Sequence, residues 1–287
     1  MVFLIYLFVF FLGLIVGSFL NSVIYRLHSG ESFLFKRSFC PHCRHILTFE
    51  DLIPVLSFLI LRGKCRYCQK SITLQYPLVE ISTALIFLLI FSLQFSPQES
   101  LWLPTGQAIF NFLSLCFMLC VSCFMIIIFV YDLKHYIIPD KVIFPAILIV
   151  FLYRIFEILS FRHWDLFGNW KLEIGNLEPL LTSLIAAFLA SGFFLMIVLI
   201  SKGRWMGVGD IKLAFLMGLL LGWPNILVAL FLAFFIGAII GVGLIISGKK
   251  RLSSEVPFGP FLVTGTFAGL FWGKYLISWY LNLFLLK

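Results

Sequence analysis

Runs of apolar residues long enough, or nearly long enough, to cross about 30 Å of hydrocarbon recur along the whole chain, separated by polar segments. No water reaches the backbone inside a bilayer core, and runs of this length satisfy their N–H and C=O groups as helices rather than as barrel strands. The pattern predicts eight spans, at residues 2–24, 77–95, 108–131, 142–159, 178–200, 210–222, 225–247 and 260–285. The sixth is the shortest. The expected fold is therefore an all-α polytopic membrane protein with about eight transmembrane helices. The one sizeable polar insert, residues 25–76, is expected to form a small domain between the first helix, 1–24, and the membrane core, 77–287.

Composition supports this reading. Of 287 residues, 62% are hydrophobic and only 12% charged, and the mean hydropathy of +1.08 excludes an ordinary soluble domain. The first span follows Met1 without a basic leader segment and ends in "GSFLNSVIYRLH" with no small-residue cleavage site, so it reads as a retained helix. Basic residues set the orientation. If the 25–76 insert is cytoplasmic and eight helices alternate, all of the 21 Lys and Arg except Arg154, Arg162, Lys171, Lys274 and Lys287 fall on the cytoplasmic side, the bias that the positive-inside rule requires. Without the sixth span, the "GKKR" cluster at 248–251 would land outside. The net charge of +8 thus needs no nucleic acid to explain it.

Inside the insert, Cys40, Cys43, Cys65 and Cys68 form C-x2-C, twenty-one residues, then C-x2-C. That is zinc-ribbon spacing: each C-x2-C turn offers two thiolates, and two turns complete a closed tetrahedral site of the structural kind. About fifty residues build only a thin core, for which a metal is a common staple. Two disulfides are the competing reading, opposed by the reducing cytoplasm in which the basic residues place the loop. His42 and His45 flank the first turn as competing ligands or as surface residues. Cys116, Cys120 and Cys123 share one face of the third span and read as small buried apolar side chains.

Four carboxylates lie at the cytoplasmic edge of the apolar runs: Glu80, Asp132, Asp140 and Asp210. Dehydrating a carboxylate is costly unless something compensates, so each is a functional candidate. Asp140 follows Pro139 at a helix start and is expected to cap free N–H groups. Glu80 either snorkels to the interface or bonds a neighbouring helix. Lys134 and Lys212, each two residues after an Asp, are expected to anchor to headgroups. In "GVGD", Gly207 and Gly209 remove side chains ahead of Asp210, for a close backbone approach or for torsions that other residues resist. Two aspartates brought together would share a proton, an arrangement suited to hydrolysing a peptide bond. Asp132 and Asp210 are the chosen pair, supported by Gly207, Gly209, Asp140 and Lys212.

Taken in order, "GSFLNSVIYRL" at 17–27, the tetracysteine loop with "LIPVLSFLILRGKC", "YPLVE" at 76–80, "DLKHYIIPD" at 132–140, "GVGDIKL" at 207–213 and "PFGPFL" at 257–262 resemble the type IV prepilin peptidases, membrane aspartic peptidases with G-x-G-D motifs. The resemblance implies removal of a short basic leader after a Gly from prepilins or pseudopilins, at the cytoplasmic face of the bacterial inner membrane. It maps the catalytic aspartates to Asp132 and Asp210, with no cofactor needed for hydrolysis. It further implies a second activity, methylation of the new N-terminal residue by S-adenosylmethionine, with which Gly63 is associated; no methyl-donor motif is visible independently.

Two other classes of function are compatible with parts of the pattern. One is an ion- or proton-coupled transporter with a zinc-ribbon docking loop, in which Asp132 and Asp210 would line a path. The other is a noncatalytic component of a pilus or secretion assembly. Residues 160–177 make a longer outward loop than the topology requires.

Overall fold

A computed structural model describes residues 2–30, 37–94, 105–159, 178–248 and 256–285. The helices are α1 (Val2–Ser29), α2 (Leu56–Ile60), α3 (Gln75–Gln94), α4 (Thr105–His135), α5 (Asp140–Leu159), α6 (Glu178–Ser201), α7 (Val208–Leu221), α8 (Asn225–Ile246) and α9 (Gly259–Leu285), with a 3-10 turn at Glu50–Leu52. The eight expected spans correspond to α1 and α3–α9. Among the described residues, five helices are long and apolar enough to cross a bilayer: Val2–Ser29, Gln75–Gln94, Ile109–His135, Leu180–Ser201 and Asn225–Ile246. This is a multi-pass membrane protein. The readings of 160–177 and of Lys249, Lys250 and Arg251 lie outside the described residues.

The chain divides into two compact units, Met1–Ile127 and Ile128–Lys287, with the boundary inside α4. In the first unit α1 packs on α3. Small residues allow the close approach that membrane helix pairs favour: a Cβ added at Gly13 would stand 2.5 Å from the Ala84 Cα, and one at Gly17 would stand 2.6 Å from the Glu80 Cα. Asn21 is held at this seam, its Nδ2 donating to the Tyr76 carbonyl at 3.0 Å. The rest of α1, including Phe3, Phe8, Ile15 and Phe19, is exposed, as suits a lipid-facing surface.

The second unit is built around α7. Its fourteen residues rise only about 21 Å, short of the hydrocarbon thickness of about 30 Å. Yet Leu213, Ala214, Leu216, Met217 and Leu219 are fully buried: α7 is apolar all round because protein surrounds it. It packs against α5, α6, α8 and α9. From α5 the stripe Val142, Ile143, Ala146 and Val150 is buried, and from α6 the small residues Ala186, Ala187 and Ala190.

Ending a helix early in an apolar surrounding leaves carbonyls without partners. Arg154 of α5 supplies them, with Nε donating to Leu219 O at 3.2 Å and Nη2 to Leu220 O at 2.5 Å, while Nη1 pairs with Glu157 at 2.7 Å. A cation at a helix C-terminus also complements the dipole. Alongside, α8 presents Asn225, Ala229 and Ala233 to Gly265, Gly269 and Gly273 of α9, one small-residue seam per turn.

The α6–α7 contact is close enough to test. A Cβ at Gly218 would lie 2.4 Å from the Ala187 Cα, backbone that cannot yield without moving a helix. Gly218→Val is expected to cost about 1–3 kcal/mol, read as a lower melting temperature of the purified protein. An unchanged melting temperature would place the helices farther apart than described.

Candidate functional site

Each unit contains one chemically distinctive cluster. In the first, the chain repeats a single turn. Phe39 bridges to Ile46, and Lys64 bridges to Ser71. Cys40 N–H donates to His45 O at 3.0 Å and Arg44 N–H to Cys40 O at 2.8 Å; Cys65 N–H donates to Lys70 O at 2.9 Å and Gln69 N–H to Cys65 O at 3.0 Å. Arg44 and Gln69 occupy matching left-handed positions, both with φ of 57°. Two copies of one knuckle therefore present their thiols to each other.

The four Sγ atoms of Cys40, Cys43, Cys65 and Cys68 lie within 4.8 Å of one another, Cys40 and Cys68 at 3.9 Å. All four thiols are free, so no disulfide joins them. A tetrahedral zinc with bonds of about 2.3 Å needs sulfurs about 3.8 Å apart, and the cluster fits that demand. Burial disfavours the Cys40 thiolate, but the N–H groups of Cys43 and His42 and the neighbouring thiols outweigh it and bring the group down to about 7. Cys68 is favoured as a thiolate by the Lys70 N–H, yet burial and its three thiol neighbours push it up to about 11. The thiols thus compete for protons, and a divalent cation would replace those protons with one central charge. His42 and His45 are not part of the cluster; the His45 ring lies on Tyr67, centroids 3.7 Å apart.

Gly63 belongs to the same loop for a backbone reason. It follows α2, where Arg62 N–H donates to Leu59 O at 3.1 Å and Gly63 N–H to Phe58 O at 2.9 Å, the bond pair of a Schellman ending. Its φ is 69°, and an added Cβ would press on the Phe58 ring at 3.1 Å. Two constraints, torsion and space, both select glycine.

The second cluster joins α4, α5, α7 and α9. Asp132, in the last turn of α4, is 4% exposed, and Asp210, in the first turn of α7, is 8% exposed. Asp132 Oδ2 accepts the Gly259 N–H at 3.0 Å, the first N–H of α9. Asp210 Oδ2 accepts the Gly207 N–H at 3.3 Å, the third-position half of a capping box whose other half glycine has no side chain to make. Each carboxylate therefore sits at a helix N-terminus, where orphan N–H groups and the dipole favour negative charge. Asp132 is near enough for its charge to act on Asp210. Among the described residues no cation lies within ion-pairing distance of either.

The glycines earn their places unevenly. Gly207 has φ −80° and ψ 155°, torsions any residue adopts, so the torsional explanation does not apply to it. At Gly209 a close approach is real but comes from a side chain, since an added Cβ would meet Ile138 Cβ at 3.1 Å. Gly259, within "PFGPFL", is the third glycine of the site. A Cβ there would stand 2.5 Å from Asp132 Oδ2, so only glycine lets that carboxylate reach the start of α9. The available signal was Gly-Pro at a helix start within "PFGPFL".

Two expectations change. Asp140 is the first residue of α5, whose opening carbonyl is that of Pro139, taken by Val142 and Ile143 N–H at 3.0 and 3.1 Å; the Asp140 carboxylate is directed elsewhere, to Lys212 Nζ at 2.5 Å. Lys212 in turn is not a free headgroup anchor, for its ammonium also lies 5.0 Å from the Phe144 ring centre. Both differences have one cause: Lys212 points from α7 toward α5, where it meets a carboxylate and a ring face. Lys134 is exposed. Glu80 takes neither expected role: it is buried and accepts the Val55 N–H, in the turn ahead of α2, at 2.8 Å.

Comparison with known proteins places these features in a family. Residues 11–94 match the bacterial peptidase A24 N-terminal domain, and residues 119–242 match the type IV leader peptidase family. A prepilin leader peptidase/N-methyltransferase of Aeromonas hydrophila is 30% identical, with 96% of this chain and 94% of the relative covered. The chain belongs to the type IV leader peptidase family. Relatives of the same description from Legionella pneumophila, 31% identical over 96% of this chain and 94% of the relative, and from Bacillus subtilis, 30% identical over 96% and 97%, extend the likeness across nearly the whole length. No solved structure matches. The family model ending at 242 covers both aspartates, and the N-terminal one covers the four cysteines. Membership in a peptidase family removes the support for the transporter and for the noncatalytic assembly component.

The cysteine cluster yields a direct expectation. Purified protein should carry about one zinc ion per chain, and Cys40→Ser should lose it, as measured by elemental analysis. Protein that is fully folded and metal-free would refute a metal centre.

Proposed function

We propose that this enzyme removes the basic leader from prepilins or pseudopilins by direct attack of water, with Asp132 and Asp210 as the catalytic pair. The observation that carries the proposal is their placement: two buried carboxylates from different helices, within electrostatic reach, each held by one backbone N–H at a helix start. Each spends one oxygen on that hydrogen bond and has the other for chemistry.

In the reaction one member of the pair is ionised and draws a proton from water as the oxygen attacks the scissile carbonyl. The other is protonated, polarises that carbonyl, and later hands its proton to the departing amine. Hydrolysis needs no cofactor, because both proton transfers use these two groups. Asp140 and Lys212 tie the start of α5 to α7 two residues after Asp210, and Ile138 packs on Gly209, so both contacts fix the height of Asp210. The basic residues of the cysteine loop and of the α4–α5 and α6–α7 connections support a cleavage site at the cytoplasmic face of the bacterial inner membrane.

The second activity, methylation of the new N-terminal amine with S-adenosylmethionine as donor, is proposed for the first unit on the likeness to relatives described as N-methyltransferases. Zinc held by Cys40, Cys43, Cys65 and Cys68 would order that loop without joining the reaction, since four thiolates leave zinc no open position. Gly63 would serve this activity through the turn it closes.

Asp132→Asn and Asp210→Asn should each lower leader removal by at least about a thousandfold while the protein remains inserted and its melting temperature is retained. Gly259→Ala, which displaces Asp132, should cost about a hundredfold. The measurement is mass-spectrometric turnover of a prepilin. Normal processing by either Asn variant would remove that residue from the catalytic pair.

A further inference from the structure

Glu80, left without a role by peptide hydrolysis, is 7% exposed in the first turns of α3. Its Oε2 accepts the Val55 N–H at 2.8 Å. Gly17 leaves the room, its missing Cβ being 2.6 Å from the Glu80 Cα. The carboxylate thus stands at the α1–α3 seam and reaches out to the cysteine loop.

What it holds there is a conformation that resists forming. Leu56 N–H donates to Pro54 O at 2.6 Å, closing a three-residue turn about Val55, whose φ is 61° and ψ −48°. A β-branched residue at positive φ is an outlier, and a γ-turn of this hand is rare and strained. Such conformations persist only where the surroundings impose them. In this turn the central N–H points away from the ring that the turn closes, and Glu80 is the acceptor that meets it.

The consequence travels along a short chain of fixed parts. Val55 is the entry to α2; α2 ends in the Arg62–Gly63 turn; the Gly63 carbonyl accepts Ile72 N–H at 2.7 Å; and Cys65 and Cys68 lie between those two residues. Backbone hydrogen bonds thus run from Val55 through α2 to the second knuckle. We propose that Glu80 is a positioning residue for the methyl-transfer activity: by holding Val55 in its strained turn, it fixes the cysteine loop against the α1–α3 pair. Leader removal does not depend on it. This inference rests on methyl transfer belonging to the first unit.

The test uses the full-length protein in lipid, one prepilin substrate, and two products read by mass: the leaderless chain and its methylated form. Glu80→Ala should lower methylation by about a hundredfold, with leader removal and zinc content unchanged. Glu80→Gln keeps an oxygen for the Val55 N–H and should methylate close to the wild-type rate. Val55→Gly in the Glu80→Ala background should recover methylation, since glycine adopts the turn unaided; a carboxylate acting as a proton acceptor would not be rescued that way. Amide exchange over residues 53–63 supplies an independent readout, faster in Glu80→Ala and restored in the double variant. Unchanged exchange in Glu80→Ala overturns the proposal, as does full methylation by Glu80→Ala or loss of methylation in Glu80→Gln equal to that in Glu80→Ala. A wild-type protein that cleaves without methylating would instead refute the methyl-transfer reading, and exchange would still decide whether Glu80 holds the turn.

Discussion

Backbone N–H groups at the starts of two helices are what permit acid side chains inside the second unit. Two carboxylates buried among apolar helices would be intolerable without compensation, and no cation supplies it among the described residues. The first N–H of α9 meets Asp132 and the Gly207 N–H at the start of α7 meets Asp210. Dipolar compensation of this kind leaves no fixed counter-charge to neutralise the pair permanently. A cation bonded to either group would hold it as an inert ion; a single N–H leaves it able to take and give a proton.

That arrangement requires α7 to begin and end within the protein. The helix is shorter than the hydrocarbon is thick, and unpaired ends would be ruinous in lipid. Asp210 and Gly207 complete one end, and Arg154 completes the other. Gly218 on Ala187 brings α6 close against α7, and Gly265, Gly269 and Gly273 bring α9 close against α8. In the first unit the same device, Gly13 and Gly17 on α3, lets Glu80 lie at a seam and reach the loop. Small residues build the close contacts, and the few polar groups are placed where those contacts leave room.

Hydrophobic runs revealed the helices because a bilayer imposes length and composition directly, and C-x2-C pairs revealed the thiol cluster because the metal imposes spacing. The sequence pattern was silent on partners far apart along the chain. Arg154 looked like a stray cation on the outer side, yet it serves carbonyls sixty-five and sixty-six residues away. Lys212 looked like an interfacial anchor until the fold brought Asp140 beside it. Gly259 carried no reason within its own segment, since the atom that excludes a side chain belongs to Asp132, 127 residues earlier. A reader of local pattern finds elements and ligands; tertiary neighbours decide which carboxylate is a cap, which is a counter-ion and which is a reagent.

The most direct test of the central claim is the affinity of a leader peptide in which a tetrahedral, hydroxyl-bearing carbon replaces the scissile carbonyl. Such a group imitates the state formed by attacking water and needs both carboxylates around one carbon. Binding is expected to be tight to the native enzyme and weaker by about a hundredfold or more in both Asp132→Asn and Asp210→Asn. Equal affinity for the native enzyme and either variant would mean that the two acids do not face one reacting centre.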